Sequence, residues 1–467
     1  MGTITSLMDI ARLALTADQE ALNVTSNNVA NQNTAGYTRE VVEFQSADTV
    51  TLSGGTFGSG VTASATSQRD RVLEQQVQQQ TQVQAQSGAL ESALQQVQNV
   101  FGLSSTSTSA SSTTFGTDIS SFFSALSSLT SNPSDTATRQ SVLSAATALA
   151  GDFNSAANQL TQVSSSLNQQ VAGDVGQVNS LTSTIASLNA QITSLSPDSD
   201  AEILEDQRQL AITQLSKLVG LDQISTENNG ITLTTSGGAV LVSGNQSFAL
   251  STTQVGGVTH VLAGVSGQDL TSNLTGGDLG GVLQARDQQL PSYQKALDSL
   301  AFGIGTQVNQ QNELGLDGNG NPGAAIFSLP PTQSGAAAQI QVAATNPSAV
   351  AAAAVGEGSA GNTNALALAD LASAIVAGGQ TASGFLASFL GQIGSDASAA
   401  TTNNSAQQAI LTQLTTQRDS LSGVSLDEEA ANLTQYQRAY QAAAQVFNIG
   451  DTIMASALNL GEQTTVT

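Results

Sequence analysis

The chain offers few side chains that could carry out catalysis. It contains a single histidine, His260, in a strand-like segment with no apparent partner. Cysteine is absent, which excludes disulfides, thiolate metal sites and cysteine nucleophiles. Serine is abundant, but no G-x-S-x-G motif with plausible triad partners is present. Because catalysis needs titratable groups that are perturbed and placed together, the sequence predicts that the protein is not an enzyme.

Two segments resemble ligand-binding motifs only in part. The residues from Asp317 to Asn321 match the first half of a calcium-binding loop. The sixth position is Pro322 where glycine is required, and the twelfth is Ser328, which has no carboxylate. An Asx-rich turn is therefore the preferred interpretation. A second glycine-rich segment lacks the strand and spacing of a nucleotide-binding fold, and its glycines are Gly276, Gly277, Gly280 and Gly281. We predict neither a metal site nor a cofactor.

The acidic run Asp427, Glu428 and Glu429 has two interpretations. Adjacent carboxylates could bind a metal or take part in catalysis. Ser425 and Glu428 also have the spacing of a capping box, and the helix dipole favours anions in a first turn. We favour the capping interpretation, which marks the start of a C-terminal helix.

The composition disfavours several classes of partner. The 35 acidic residues outnumber the 11 basic ones and give a formal net charge of −24. The basic residues do not cluster, so we expect no nucleic-acid interface and no binding to anionic membranes. The N-terminus carries Asp9 and Arg12 where a secretory signal needs an apolar core, so we expect no cleaved signal peptide. No window is apolar enough over its whole length for a transmembrane helix.

Apolar residues recur at intervals of seven near both ends of the chain, which indicates amphipathic helices that pack side by side. The N-terminal set comprises Leu7, Met8, Ala11, Leu15, Leu22 and Val29. The C-terminal set is more regular and comprises Leu426, Leu433, Tyr440, Phe447, Met454 and Leu458. A lone amphipathic helix is marginal in water, so we expect these helices to be ordered by packing against partners.

The middle of the chain combines long helices with one β-rich insertion. Seven-residue patterns predict helices over about 68–101 and 135–195, and the second would be about 90 Å long. Between 221 and 274, short alternating Val, Ile, Leu and Thr runs are separated by Asn-Gly and Gly-Gly pairs, which are typical of antiparallel hairpins. We predict a mainly α fold with an inserted antiparallel β subdomain, in which the terminal segments form a long helical bundle or coiled coil. The predicted domains are a terminal coiled-coil domain (1–35 with 425–467), an elongated helical middle domain (36–220 with 276–424) and the β subdomain (221–275).

Two terminal segments resemble a known family. SNNVANQNTAGYTRE, at 26–40, is similar to the N-terminal signature of flagellar rod, hook and hook-associated proteins. SGVSLDEEAANLTQYQRAYQAAAQVFNIGDTIMASALNL, at 422–460, resembles the closing helix of that family, and its SGVSLDEE segment fits the hook-associated protein 1 branch best. We expect Tyr37 to be an apolar anchor beyond the turn that follows the first helix. The signature residues are Asn27, Asn28, Ala30, Asn31, Thr34, Gly36, Tyr37 and Arg39.

The resemblance implies a structural subunit of the bacterial flagellum at the junction between hook and filament. It implies export by the flagellar type III apparatus without a cleaved signal, an extracellular location, and assembly into a ring as the terminal helices become ordered. The two heptad sets would then form the subunit interface, with the hook protein on one side and the second junction protein and flagellin-side neighbours on the other. The resemblance also implies an export chaperone that binds Leu433, Tyr440, Phe447 and Met454.

Two alternatives remain open. Another axial flagellar subunit, a rod or hook protein, would show β-rich domains after the N-terminal signature. A secreted enzyme or adhesin would use the β subdomain and would need clustered catalytic groups. The long helical pattern at 135–195 favours the junction protein over the first alternative, and the lack of catalytic motifs disfavours the second.

Overall fold

The computed structural model describes residues 2–34, 36–47, 49–52, 55–58, 60–103, 114–195, 201–225, 230–264 and 266–463. Long α-helices make up most of these residues, and the strands form small antiparallel sheets. The predicted fold class is confirmed. No helix in these ranges is both long enough and apolar enough to cross a membrane.

The helices include two that match their sequence predictions to within three residues. These are α2 and α4, and each begins after an aspartate, Asp70 or Asp135, whose carboxylate accepts hydrogen bonds from the first-turn amides. A π-helical turn, Ala285–Gln289, joins α6 to α7. The helices are α1 Gly2–Asn31, α2 Arg71–Val100, α3 Thr114–Ser131, α4 Thr136–Ser194, α5 Glu202–Leu218, α6 Gly277–Gln284, α7 Leu290–Glu313, α8 Ala336–Gln339, α9 Thr363–Asp370, α10 Ala382–Ser422 and α11 Leu426–Gln463.

The strands fall into three regions. Four strands between 40 and 67 form nested hairpins, in which β1 Glu40–Ser46 pairs with β4 Val61–Ser67 and β2 Thr49–Leu52 pairs with β3 Gly55–Gly58. The predicted β insertion contains a four-stranded sheet of β5 Leu221–Ser225, β6 Ile231–Thr235, β7 Val240–Ser243 and β8 Gln246–Ser247, and a hairpin of β9 Leu250–Val255 and β10 Val258–Ala263. Two-residue strands form two further pairs, β11 Gly315–Leu316 with β14 Ala353–Ala354 and β12 Phe327–Ser328 with β13 Gln341–Val342.

The hairpins at 40–67 are a feature that the sequence analysis did not predict. They follow the N-terminal signature directly, which is where a rod or hook subunit was expected to differ. Strands after the signature therefore do not by themselves separate the two flagellar alternatives, and the distinction rests on the long helix predicted at 135–195, which the structure confirms as α4. The division into three domains stays a prediction.

Helix α4 is the long central helix of the middle of the chain. It spans 59 residues, which corresponds to about 90 Å. Its seven-residue apolar line is buried at Phe153, Leu160, Leu167 and Leu188. Asp174 lies on the same line although it is charged, and it is only 6% exposed. One of its carboxylate oxygens has no hydrogen-bond partner among the described residues.

Asparagines along α4 hold the β segments by hydrogen bonds to the backbone. The Asn179 amide donates to the carbonyl oxygen of Leu250 at 2.8 Å and accepts from its N–H at 2.7 Å. Asn168 accepts from the Thr259 N–H at 2.9 Å. Such bidentate contacts replace part of the apolar burial that large side chains would supply. The asparagines that hold β segments in this way are Asn168, Asn179 and Asn189, and Asn154 makes similar contacts to the backbone at the end of α8.

Helices α2, α6 and α10 pack closely through polar and small residues. Gln80 donates to the Gln407 side chain at 2.8 Å, which links α2 to α10. On the other side, a Cβ at Gly281 of α6 would lie 2.3 Å from the carbonyl oxygen of Gln86. The glycine-rich segment at 276–281 thus permits close packing of α6, which accounts for its composition without a bound phosphate.

Candidate assembly interface

The two terminal helices, α1 and α11, form an antiparallel pair. At one end, the Asn28 side chain donates to a carboxylate oxygen of Glu429 at 3.2 Å. At the other end, a Cβ at Gly450 would lie 3.1 Å from the Met8 side chain. We call the end at Asn28 the base of the pair and the end at Met8 its tip. The predicted pairing of the N- and C-terminal segments is therefore present in a single chain.

Small and polar residues form the centre of this contact. On α1, buried residues include Ala11, Ala21, Thr25 and Asn28. On α11, only Glu429 and Gly450 are buried among the described side chains. Because little apolar area is removed from water, α11 is held weakly by packing within one chain.

The predicted heptad residues occupy the borders of the contact. Half-buried positions are Met8, Leu15, Leu22, Leu433, Phe447 and Met454, and Ala11 is fully buried. The others are exposed in the single chain, and they are Leu7, Val29, Leu426, Tyr440 and Leu458. The central line of α11 is offset from the predicted one by three residues, or about 60° around the helix, and runs through Glu429, Tyr436, Ala443 and Gly450. Their predicted roles in subunit and chaperone contacts stay predictions.

A second exposed apolar row on α11 was not predicted from the sequence. Val446, Ile449 and Ile453 are 41%, 57% and 45% exposed. At 100° per residue, this row and the row of Leu426, Tyr440 and Leu458 lie on opposite sides of the line that faces α1. The three-and-four spacing of the second row was the signal that could have revealed it.

A cluster of polar side chains joins the base of the pair to the N-terminal signature. We call it the terminal polar cluster; it consists of Asn28, Tyr37, Arg39, Glu428 and Glu429. Arg39 contacts Glu428 at 2.7 Å and Glu429 at 2.8 Å. Tyr37 donates its hydroxyl to Asn28 Oδ1 at 2.8 Å. The acidic run at the start of α11 therefore binds Arg39 across 390 residues of sequence, in addition to occupying a first turn.

Burial makes this cluster energetically important. The Glu429 side chain is 2% exposed and that of Arg39 is 14% exposed, whereas Glu428 is 61% exposed. Removing a partner from a buried ion pair leaves an uncompensated charge, so the Glu429 contact carries more energy than the Glu428 contact. Burial and nearby carboxylates raise the pKa of Tyr37, so its hydroxyl remains a donor to Asn28. The expected apolar anchor thus also uses its polar end.

The other signature residues shape the turn after α1. Asn31 accepts from the Thr34 N–H and from its hydroxyl, at 2.8 and 3.2 Å. Gly36 has φ +84°, which a residue with a Cβ adopts only with strain. Asn27 and Ala30 are exposed. This turn brings Tyr37 and Arg39 back toward the base of the pair.

A neighbouring set of contacts joins the signature to the middle of the chain. The carboxylate of Asp206, on α5, accepts from the N–H and hydroxyl of Thr38, both at 3.1 Å. Arg69 forms an ion pair with the same carboxylate. Glu202, also on α5, accepts from the Ser67 N–H at 2.7 Å. The base of the terminal pair is thereby fixed to α5 and to the start of α2.

The other candidate sites carry no comparable assembly of groups. The exposed pair of His260 and Asp269 makes one contact of 2.7 Å, between Nδ1 and a carboxylate oxygen. Asp317 accepts from the N–H groups of Asn319 and Asn321, both at 2.8 Å, which confirms the Asx turn. Within the described ranges, no group of three or more His, Cys, Asp or Glu side chains is placed to hold a metal ion.

Family comparisons agree with this arrangement of helices. Residues 94–327 match the model of the flagellar hook-associated protein FlgK helical domain. The chain belongs to the FlgK family. Residues 8–38 match the flagella basal body rod protein model, and residues 416–460 match the C-terminal model of the flagellar basal body rod FlgEFG proteins. Those two matches cover most of the terminal helices and every residue of the terminal polar cluster except Arg39.

Relatives of full length share the FlgK family assignment. The chain is 26% identical to flagellar hook-associated protein 1 of Salmonella typhimurium, over 98% of this chain and 100% of that protein. It is 28% identical to the Bacillus subtilis protein of that name, over 97% of each chain. The structure of the flagellar hook junction protein FlgK from Burkholderia pseudomallei shares the fold, with a TM-score of 0.68 and 22% identity over 74% of this chain and 100% of that one.

These findings confirm the prediction of a structural subunit of the bacterial flagellum at the junction between hook and filament. They also decide between the two flagellar alternatives, because the FlgK domain covers the long helix α4, which a rod or hook assignment left unexplained.

Proposed function

We propose that the protein joins hook to filament through its terminal helix pair, which becomes fully ordered only when neighbouring subunits cover it. The observation that carries this proposal is the contrast between the two ends of the pair. The terminal polar cluster fixes the base. In the remainder of α11, Gly450 is the one fully buried residue among those whose burial is described. Order then extends from base to tip as apolar residues on the outside of the pair gain partners.

The two exposed apolar rows of α11 are the surfaces that we assign to neighbouring subunits. A helix that packed only against α1 would need one apolar face. The rows at Leu426, Tyr440 and Leu458 and at Val446, Ile449 and Ile453 leave apolar residues on both sides of that contact. We assign them to neighbours in a ring of copies, to the hook protein, and to the second junction protein and flagellin-side neighbours. The exposed Leu7 and Val29 of α1 extend this surface.

The same rows explain why the chain would need protection before assembly. Exposed apolar strips on a partly ordered helix promote aggregation. We propose that an export chaperone covers Leu433, Tyr440, Phe447 and Met454, and that the flagellar type III apparatus exports the chain without removing a signal peptide. The assembled protein would be extracellular and would have no catalytic role.

Introducing a charge on one side of α11 tests the proposal. Tyr440→Asp places a carboxylate in the exposed row without disturbing a buried contact, so the free protein should fold normally. We expect cells carrying it to build hooks and to release monomeric flagellin into the medium. The matched control is Gln441→Asp, an adjacent exposed position outside both rows. Filaments of normal number and length with Tyr440→Asp would contradict the proposed interface.

Limited proteolysis of the free protein tests the order of folding. Mild protease should remove about 30 to 60 residues at each end, starting at the tip, while the middle of the chain resists. Equal resistance of the tip and of α4 would show that the pair is already ordered before assembly.

A further inference from the structure

The hairpin of β9 and β10 has two outer edges, and the edge of β10 is fully occupied. In an antiparallel pair, alternate residues direct their N–H and C=O groups away from the partner strand. On β10 these residues are Thr259, Val261 and Ala263. Their N–H groups donate to Asn168, to the Thr271 hydroxyl and to the Gln268 carbonyl oxygen, at 2.9 Å in each case.

The edge of β9 is occupied at one position only. The register pairs Ala263 with Leu250, Val261 with Thr252 and Thr259 with Gln254, so Leu250, Thr252 and Gln254 face outward on β9. Asn179 binds both backbone groups of Leu250. The backbone groups of Thr252 and Gln254 make no hydrogen bond within the described ranges.

This open edge lacks the usual protection against pairing with another chain. Edge strands are normally guarded by a charged residue, a proline or a covering segment. Residues 251–255 are all exposed, and none is charged or proline. They lie within 228–268, the longest stretch of the sequence without Asp, Glu, Lys or Arg. Copies that each carry a net charge of −24 repel one another, and this repulsion is weakest between uncharged surfaces.

We propose that the β9 edge at Thr252 and Gln254 pairs with extended backbone of a second copy of this chain in the assembled flagellum. This inference rests on the proposed function, because it places copies side by side. The two outward residues supply two donors and two acceptors, so the contact fixes the spacing of neighbouring copies at the level of the β subdomain. It adds a lateral contact far along the chain from the terminal helices.

Photo-cross-linking in isolated flagella tests the contact. A benzophenone amino acid at Thr253, whose side chain is exposed, should give a covalent product of two copies. Thr252→Pro removes an outward N–H and leaves the bonds to β10 in place, since proline is tolerated on the open side of an edge strand. We expect it to lower the cross-link yield at least five-fold, whereas Thr252→Val, which keeps the N–H, should not change the yield.

The controls separate this inference from the proposed function. A benzophenone amino acid at Tyr440 reports on the terminal interface in the same preparation. Cross-links from Tyr440 with none from Thr253, cross-links from Thr253 to a different protein, or equal yields for Thr252→Pro and Thr252→Val would each overturn the β9 contact alone. If Thr252→Pro lowers the melting temperature of the free protein by more than about 3 °C, Gln254→Pro replaces it, because its N–H also faces outward.

Discussion

Replacing Arg39 with methionine is expected to release the base of α11 from the rest of the chain. Methionine keeps an aliphatic stem of similar length and removes the guanidinium that contacts Glu428 and Glu429. Among the described residues, the Glu429 carboxylate, which is 2% exposed, would keep only the Asn28 amide as a partner. Breaking a buried ion pair costs about 3–5 kcal/mol, and the 14% exposure of Arg39 reduces this to about 2–3 kcal/mol.

That free energy has a measurable consequence for the opening of α11. A cost of about 2–3 kcal/mol raises the population of the detached helix about 30- to 150-fold. Amide hydrogen exchange of peptides from 426–440, followed by mass spectrometry, should accelerate by that factor. Exchange in α4 should not change, since no contact of the cluster involves that helix.

Two further variants make the experiment decisive. Arg438→Met removes the same charge from an exposed position of α11 and should leave exchange within about two-fold of the wild type. Adding Glu429→Gln to Arg39→Met removes the unpaired buried charge and should restore about ten-fold of the lost protection. Equal exchange of 426–440 in the wild type and Arg39→Met would refute the reasoning, because the cluster would then not hold the helix.

Four other substitutions test what stabilises the middle of the chain, each by urea denaturation. Burial, together with nearby Asp278, raises the pKa of Asp174 from its ordinary value of 3.8 to about 6. The unfolded chain loses this proton at a lower pH than the folded protein does, so the free energy of unfolding falls between about pH 4 and pH 6 and stays lower above that range. Asp174→Asn should therefore add about 1–2 kcal/mol at pH 7.5, after allowance for solvent screening, and nothing at pH 3. Gly281→Ala should cost about 2–3 kcal/mol because its Cβ would meet a backbone oxygen of α2, whereas Gly173→Ala, in open space, should stabilise by about 0.5–1 kcal/mol. Asn179→Ala should cost about 2–3 kcal/mol because it leaves two backbone groups of β9 unpaired. A pH-independent effect of Asp174→Asn, equal effects of the two glycine-to-alanine substitutions, or no effect of Asn179→Ala would contradict the respective argument.

Regular helices were predictable because their signals are local. The apolar line from Phe153 to Leu188 and the capping Asp135 lie within one segment, and the structure places α4 within one residue of the predicted bounds. The hairpins at 40–67 were not predicted. Their strands are short, and charged or hydroxyl residues such as Glu40, Glu43 and Ser46 dilute the alternation of apolar residues.

The terminal site was only partly predictable. The heptads identified both helices but placed the centre of the α11 contact three residues away, because a heptad pattern is defined by large apolar residues whereas Ala443 and Gly450 permit the close approach. The ion pair of Arg39 with Glu429 joins residues 390 apart, and no local pattern encodes such a contact. The acidic run has the local pattern of a capping signal, whereas the cation that it binds lies at the other end of the chain.

The asparagines of α4 also determine the position along this helix at which each β segment packs. Asn168 and Asn179, which anchor the two strands of one hairpin, are 11 residues apart, so they lie about three turns and 16 Å from one another on the same side of the helix. Inserting one residue between them would rotate one anchor by about 100° and detach a strand. Insertions of a whole number of turns, accompanied by a longer hairpin, would keep both anchors aligned. The length of α4 and the size of its β insertion are thus coupled, and this coupling limits how the middle of such a chain can lengthen or shorten during evolution.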